Sequence, residues 1–558
     1  MKQLNLILVI GLSLFFIYSE SEASRKPNVV FIIADDLNDS INGFGGHPQA
    51  HTPNLDRLAK MGVRFTNAHC NAPMCAPSRP SLLSGIYPHR SGMVDGRRPF
   101  RSFPILEKAI LFPEYMINCG YQAYSGGKLF HGIDKDNTVF GASSANEMDG
   151  GYIGPIANFG PYPWDGKTLQ YKRPSRNILN PHYPWFGEKS WTYGHGRLSK
   201  LPKGSTSWVY CDSGFKGIDG KNGGVFKYNN TSDRSLMPDE IISDWGCKLL
   251  KGISTFSYNK DLKKISTEPM DDRPFFLGLG FIKSHFALYS PDEFFDAVLN
   301  ANQISEEEII LPWSKSGQVA FGDLDDIPID LRETYSAARN RYKVIQEAGT
   351  YHSGGITNLL RGITLSYLAA VNEVDTQVGK ILDALEESNK LEDTIIIFTS
   401  DHGYNHGDKE SFFKNLLWEK STRVPLIIVN PYSEFNDSRG KECVWPVSLI
   451  DIYPTIVDLC GLKKVTGLDG FSLRKLISEP ESDDWEGPKV ALTAIKGQHS
   501  NKYSVRSKDF RYSLGDKGGE ELYDHKKDPW EWYNLAKKDE YESIKAKLRN
   551  ELLSLIER

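Results

Sequence analysis

The chain lacks several features that would each mark a function class. It has no basic excess. Its 66 Lys and Arg stand against 71 Asp and Glu, a net charge of −5, so the positive stripe of a nucleic-acid binder is missing. After its first residues there is no apolar run near the ~20 residues that a membrane helix needs. Its seven cysteines, Cys70, Cys75, Cys119, Cys211, Cys247, Cys443 and Cys460, show no C-x-x-C spacing for zinc. The odd count leaves one thiol outside any full disulfide pairing. No internal repeat or low-complexity tract stands out, which excludes a solenoid.

What is present is an ordinary globular balance, 40% hydrophobic and 25% charged over 558 residues, long enough for two or more domains. Aromatics make up 12%, a content that suits stacking on sugar rings but also occurs in large α/β enzymes. The start, "MKQLNLILVIGLSLFFIYSESEAS", has Lys2, a mostly apolar run from Leu4 to Tyr18, and small residues at Ser21 and Ala23. This reads as a cleaved export signal over 1–23. The alternative, a membrane anchor, has too short a run. The expectation is an exported protein, periplasmic or secreted, with no stable membrane insertion after cleavage.

Apolar, β-branched runs at 27–36, 274–285, 394–403 and 423–431 read as buried strands. Helical patterns at 53–63 and 363–389 lie between them. Strands alternating with helices point to an α/β fold, a largely parallel sheet covered on both faces. Residues 133–235 are rich in Gly, Pro, Asn and aromatics. They read as long loops that either line a pocket or form a surface insertion. From about 486 the pattern changes to short antiparallel strands and a terminal helix over 538–557. The expected division is a signal at 1–23, a catalytic domain at 24–485 and a small C-terminal α+β subdomain at 486–558.

Two strands end in acid. The run at 28–34 is followed by Asp35 and Asp36, and that at 394–399 leads into Asp401 and His402. In open α/β sheets ligands bind beyond the carboxyl ends of strands. Adjacent carboxylates there are costly without positive charge between them, and a hard divalent cation takes oxygen ligands. Capping of a following turn is the simpler role for one such Asp; two acidic strand ends in one sheet favour a metal. Cys75 precedes Pro77, a residue type suited to a first helical turn, so it is placed at a helix N-terminus, where anions are favoured. Arg79 would add a planar fork for an oxyanion.

"CAPSRPSLLSG" (75–85) resembles the sulfatase signature C-x-P-S-R-x-x-x-L-x-G. "NVVFIIADDLN", "HTPNLDRLAKMGVRFTNAHC", "GGKLFHG", "DTIIIFTSDHG", "TRVPLIIVNP" and "ELYDHKKDPWEWYNLA" resemble sulfatase segments in the same order. "DDRPFFLGLGFIKSH" and "YLAAVNEVDTQVGKILDAL" are most similar to the iduronate-2-sulfatase branch. The resemblance implies an alkaline-phosphatase-like sandwich, with a large, mostly parallel sheet between helices and an antiparallel C-terminal sheet. It implies that Cys75 is oxidised to 3-oxoalanine (formylglycine) by a formylglycine-generating enzyme, and that its hydrate is the nucleophile. Asp35, Asp36, Asp401 and His402 match ligands of a Ca²⁺ that also touches residue 75. Arg79 matches the residue supporting the formylglycine. Lys128 and Lys414 match sulfate-contacting lysines. His131 matches the histidine beside the nucleophile, and His285 the one facing the leaving oxygen.

On this resemblance the chain is a sulfatase acting on a sulfated carbohydrate, exo-acting on a polysaccharide or oligosaccharide. A phosphoesterase or phosphonate hydrolase of the same superfamily, or a catalytically silent glycan-binding protein, are the alternatives. The chain departs from the branch at Lys283-Ser284-His285, where Lys-Pro-His is common, and at Lys409, where His is common. Both changes point away from iduronate itself as the substrate. Tyr162, Trp164, Tyr183, Trp185, Trp191 and Tyr193 are expected to stack on sugars. Lys283, Lys409 and Arg197, where they reach the pocket, would meet a carboxylate or second sulfate.

Overall fold

In the computed structural model, residues 26–131, 151–156, 161–163, 194–200, 208–210, 226–258, 264–267, 269–314, 323–350, 352 and 354–557 are described. Strand β1, Asn28–Ala34, is buried along its whole length. Val30, Ile32 and Ala34 enter one apolar layer, and Val29, Phe31 and Ile33 the other. A strand apolar at every position needs both faces covered, and here both are. On one face lie helices α1 (Pro53–Met61), α3 (Pro238–Leu250) and α4 (Gly355–Glu387). On the other lie α2 (Cys75–Ser84) and α5 (Ile452–Leu459).

The sheet between these layers has eleven strands. After β1 they are β2 (Val63–His69), β3 (Gln122–Gly127), β4 (Gly151–Ile156), β5 (Thr255–Tyr258), β6 (Lys264–Thr267), β7 (Phe275–Gly280), β8 (Thr394–Ser400), β9 (Arg423–Val429), β10 (Glu442–Cys443) and β11 (Val447–Ser448). The order across the sheet is β6-β5-β4-β3-β7-β1-β8-β9-β2-β10, with β11 also on β2. The central run β4-β3-β7-β1-β8 is parallel. Strand β9 runs antiparallel to both β8 and β2. The expected mostly parallel sheet between helices is therefore present.

At the C-terminus four strands form an antiparallel meander: β12 (Ala491–Lys496), β13 (Asn501–Arg506), β14 (Phe510–Leu514) and β15 (Glu520–Asp524). Helix α6 (Glu542–Ile556) buries Leu548, Leu552 and Leu555 in the same apolar cluster as Val505, Tyr512 and Leu522. Among the described residues no helix is long and apolar enough to cross a membrane. The expected signal at 1–23 lies outside the described residues, as do Trp164, Tyr183, Trp185, Trp191, Tyr193 and the side chain of Tyr162.

Candidate active site

Four neighbouring parallel strands deliver polar residues at their carboxyl ends. Lys128 and His131 follow β3, His285 follows β7, Asp35 and Asp36 follow β1, and Asp401 and His402 follow β8. Two glycines let these ends close up. Gly127 has a left-handed φ of 75°, and a Cβ there would meet the Gly280 carbonyl oxygen at 2.0 Å. A Cβ on Gly280 would meet the Lys128 carbonyl carbon at 2.1 Å. The Lys128 N–H donates to the Gly280 carbonyl at 2.7 Å. Only glycine permits this backbone approach, which brings the ends of β3 and β7 together.

Cys75 is the first residue of α2, preceded by the extended Met74, and α2 stops at Gly85 in a left-handed cap. The thiol meets three groups from three other segments. Asp35 Oδ1 lies at 3.3 Å, His402 Nε2 at 3.1 Å and Lys414 Nζ at 2.9 Å. Lys414 also donates to Asp36 Oδ1 at 2.6 Å, and Lys128 is ion-paired with Asp35. Asp401 accepts from the Asp36 N–H at 3.2 Å. His285 Nε2 lies 3.9 Å from Asp36 Oδ2, and its Nδ1 lies 2.5 Å from the Phe286 carbonyl. Cys75, Asp36, His131, His285 and Lys414 line a cavity of about 760 Å³.

The electrostatics follow from carboxylates crowded out of water. Burial would raise Asp35, but Lys128, helped by Arg79, holds its carboxyl well below the usual range. Burial, with Asp35 and Asp401 adding to it against Lys414, pushes Asp36 up to about 7. Burial and then Asp35 raise the Cys75 thiol, keeping it protonated. Burial lowers His402 to about 4, so its imidazole is neutral. With Nδ1 at 2.9 Å from the Gly403 carbonyl, its Nε2 turns a lone pair towards Sγ and Asp401. Burial and then Lys414 hold His285 well below its usual value.

The donor set could hold a metal ion. One ligand atom from each of Asp35, Cys75, Asp401 and His402 falls in a group no wider than 4.8 Å. Asp36 Oδ2 is buried without a hydrogen-bond partner, and such an atom costs free energy until something positive reaches it. With Asp36 added, the donors are three carboxylates, one imidazole and one thiol, and the oxygen ligands are the type that a hard divalent cation takes.

Several sequence expectations are corrected here. Arg79 offers no fork to a pocket oxyanion. Its guanidinium is fully buried and donates to Asp401 Oδ2 at 2.9 Å, to the Ala34 carbonyl at 3.3 Å and to the Lys128 carbonyl. It braces the strand ends from behind. Lys283 and Lys409 point away from the cavity. Lys283 donates to the Tyr289 carbonyl at 2.6 Å, and Lys409 to Asp323 at 3.2 Å and the Glu531 carbonyl at 2.5 Å. Arg197 pairs with Asp296 and Glu306 at a separate depression. Each is consumed by a local acceptor. The six described cysteines are free thiols, and Cys211 lies outside the described residues. Sequence reading missed the cations that do line the cavity, Arg97, Arg341 and Lys496. They come from segments far apart in the chain, and none sits in a motif.

The sulfatase family pattern matches residues 27–167 and 193–462, and the pattern for the N-sulphoglucosamine sulphohydrolase C-terminal region matches 407–558. The chain belongs to the sulfatase family. It is a sulfuric ester hydrolase, and Cys75, Asp35, Asp36, Asp401 and His402 all fall within the matched residues. This sulfatase is similar to a sulfatase of Formosa agariphila, 32% identical over 94% of this chain and 86% of the relative. It is also similar to the iduronate 2-sulfatase of Homo sapiens, 24% identical over 89% of this chain and 86% of that one. Its fold resembles the phosphonate monoester hydrolase of Agrobacterium radiobacter, with a TM-score of 0.60 and 21% identity over 95% of each chain.

Proposed function

We propose that this sulfatase is exported and removes sulfate from the chain-end sugar of an acidic carbohydrate, using formylglycine at residue 75 and Ca²⁺. One arrangement carries the reading: Cys75 at the base of a cavity, touching Asp35, His402 and Lys414, beside the unpartnered Oδ2 of Asp36. Asp35, Asp36, Asp401 and His402 would hold the cation, which supplies positive charge for the ester's oxygens. As formylglycine hydrate, residue 75 supplies one hydroxyl to attack sulfur and a second whose deprotonation releases sulfate.

The chain's own residues do the rest. Lys414, 2.9 Å from the residue-75 side chain, neutralises negative charge building on the ester oxygens, and Lys128 does so from beside Asp35. His285 holds its Nδ1 against the Phe286 carbonyl and turns Nε2 towards Asp36 Oδ2, from where it hands a proton to the departing sugar oxygen. An anionic ester beside it opposes the burial and the Lys414 charge that keep it neutral. His131, at the cavity rim, takes the proton of the second hydroxyl. Arg79 positions Asp401 and the Lys128 backbone. A maturation enzyme that converts Cys75 is a required partner, and the catalytic unit runs to about 485, with the C-terminal subdomain following it.

The carbohydrate reading draws on the similarity to iduronate 2-sulfatase and on a cavity of about 760 Å³, a size usual for small-molecule sites. The phosphonate hydrolase likeness favours a second reading, hydrolysis of phosphate or phosphonate esters. The test is to give matured enzyme a defined sulfated oligosaccharide series, with matched phosphate and phosphonate esters in parallel. Sulfate release confined to the terminal residue is expected. Uniform desulfation along long chains rules out terminal action, and faster turnover of phosphonate esters favours the second reading.

A further inference from the structure

At the base of the cavity positive and negative charges match, Lys414 against Asp36. On its walls they do not. Asp95 is one carboxylate between two cations, 2.8 Å from Lys496 and 3.4 Å from Arg97 Nε. Arg341, which also lines the cavity, has no such partner: among the described residues no Asp or Glu pairs with it. Its guanidinium carbon instead lies 3.5 Å from the centroid of the Phe413 ring.

That contact fixes the group. Phe413 packs edge-on against Tyr404, centroids 6.1 Å apart, and is the residue before Lys414. Arg341 itself rises from the helix Ser336–Gly349, anchored by buried Ala338, Tyr342 and Ile345. Stacking engages one face of a guanidinium and leaves its N–H edge for in-plane acceptors. A charge held half-buried without a counterion is costly until an anion arrives. The fork suits two oxygens of one carboxylate or sulfate. Arg97 is the weaker candidate because its side chain is 78% exposed and shares Asp95, so solvent and salt screen it.

We propose that Arg341 is the specificity-determining residue of this cavity, binding a second oxyanion of the substrate. That oxyanion is a carboxylate or a further sulfate on the sugar that carries the scissile ester or on the next one. The inference rests on the sulfatase reading above and extends it from the sulfur to the rest of the substrate. The anchored guanidinium would hold a doubly charged sugar in one orientation and give little to a neutral one.

The test uses full-length matured enzyme and three disaccharides: a neutral monosulfate, the same sugar with a uronic carboxylate, and the same sugar with a second sulfate. An activated aryl sulfate is run alongside. For wild type, R341Q and R341K, kcat/KM on each doubly charged sugar is divided by that on the neutral monosulfate within the same preparation, so loss of folded enzyme cancels. Charge-assisted hydrogen bonds of this kind set the expected wild-type ratio at about 10–100-fold. The carboxylate and sulfate arms show which group is recognised. In R341Q the ratio should fall near one, mainly through KM. R341K keeps the charge without the fork and should fall between. Ratios near one in wild type, or ratios unchanged in both variants, overturn the role of Arg341 while aryl sulfate turnover leaves the sulfatase reading standing. No turnover of any sulfate ester by wild type overturns both.

Discussion

At the scale of single residues, the proton transfer proposed for His285 makes the cost of losing that residue depend on the leaving group. Its Nε2 faces Asp36 Oδ2 at 3.9 Å on the cavity side, while Nδ1 is tied to a backbone carbonyl. A sugar alkoxide needs a proton as it departs; an activated phenolate needs it far less. General acid help is typically worth about 10²–10⁴-fold. His285→Ala should therefore lose activity by that order on a sugar sulfate and much less on an activated aryl sulfate, as steady-state kcat/KM on the two will tell. Equal losses would assign His285 to holding the sulfate instead. His285 was legible in the sequence through a motif. Arg341 was not, because it stands in an ordinary helical segment and gains its meaning only from Phe413, 72 positions away, placed beneath it. Lys283 and Lys409 show the reverse case. Their charge and position in the chain drew attention, yet buried acceptors beside them use the charge up, and no local pattern announces such acceptors.

At the scale of elements, the ends of β3 and β7 carry Lys128, His131 and His285, and their closeness depends on a glycine facing a backbone carbonyl. Gly280→Ala would set a Cβ 2.1 Å from the Lys128 carbonyl carbon, where only backbone movement gives relief. The expected result is a loss of stability of about 1–3 kcal/mol together with loss of turnover, since Lys128 and the Arg79 contact to its carbonyl move with it. Denaturant unfolding and turnover of the same variant check this; native stability and activity would remove the glycine pair from the account. The strands themselves were readable because burial on both faces makes β1, β7, β8 and β9 continuous apolar runs. The antiparallel direction of β9 was not readable, since a strand covered on both faces looks the same run either way. The start of α2 at Cys75 was readable from Pro77.

At the scale of the whole molecule, the C-terminal meander helps to build the cavity. Lys496, the last residue of β12, and Gly497 and Gln498, which follow it, line it beside residues 74–76 and 95–97. A buried ionic network joins the two regions: Arg511 on β14 pairs with Glu531 at 2.6 Å and with Glu419, and Arg506 pairs with Glu419 at 3.2 Å. Breaking one partner of such a network leaves a buried charge behind, so the C-terminal meander is tied to the segment around Glu419, which follows Lys414 in the chain. The sequence signalled a change of architecture near 486 but not that this region reaches over the site. That depends on packing between segments some 400 positions apart.

In the proposed reaction residue 75 acts as formylglycine and not as a thiol, so activity should follow the extent of its conversion. Preparations with graded conversion of Cys75 are made by varying the maturation enzyme during expression. Peptide mass analysis gives the converted fraction, and specific activity on one sulfate ester is plotted against it. Activity should rise in proportion to conversion and extrapolate to zero for the thiol form, whose side chain burial and Asp35 keep protonated. Full activity in protein that carries only the unmodified thiol would contradict the claim.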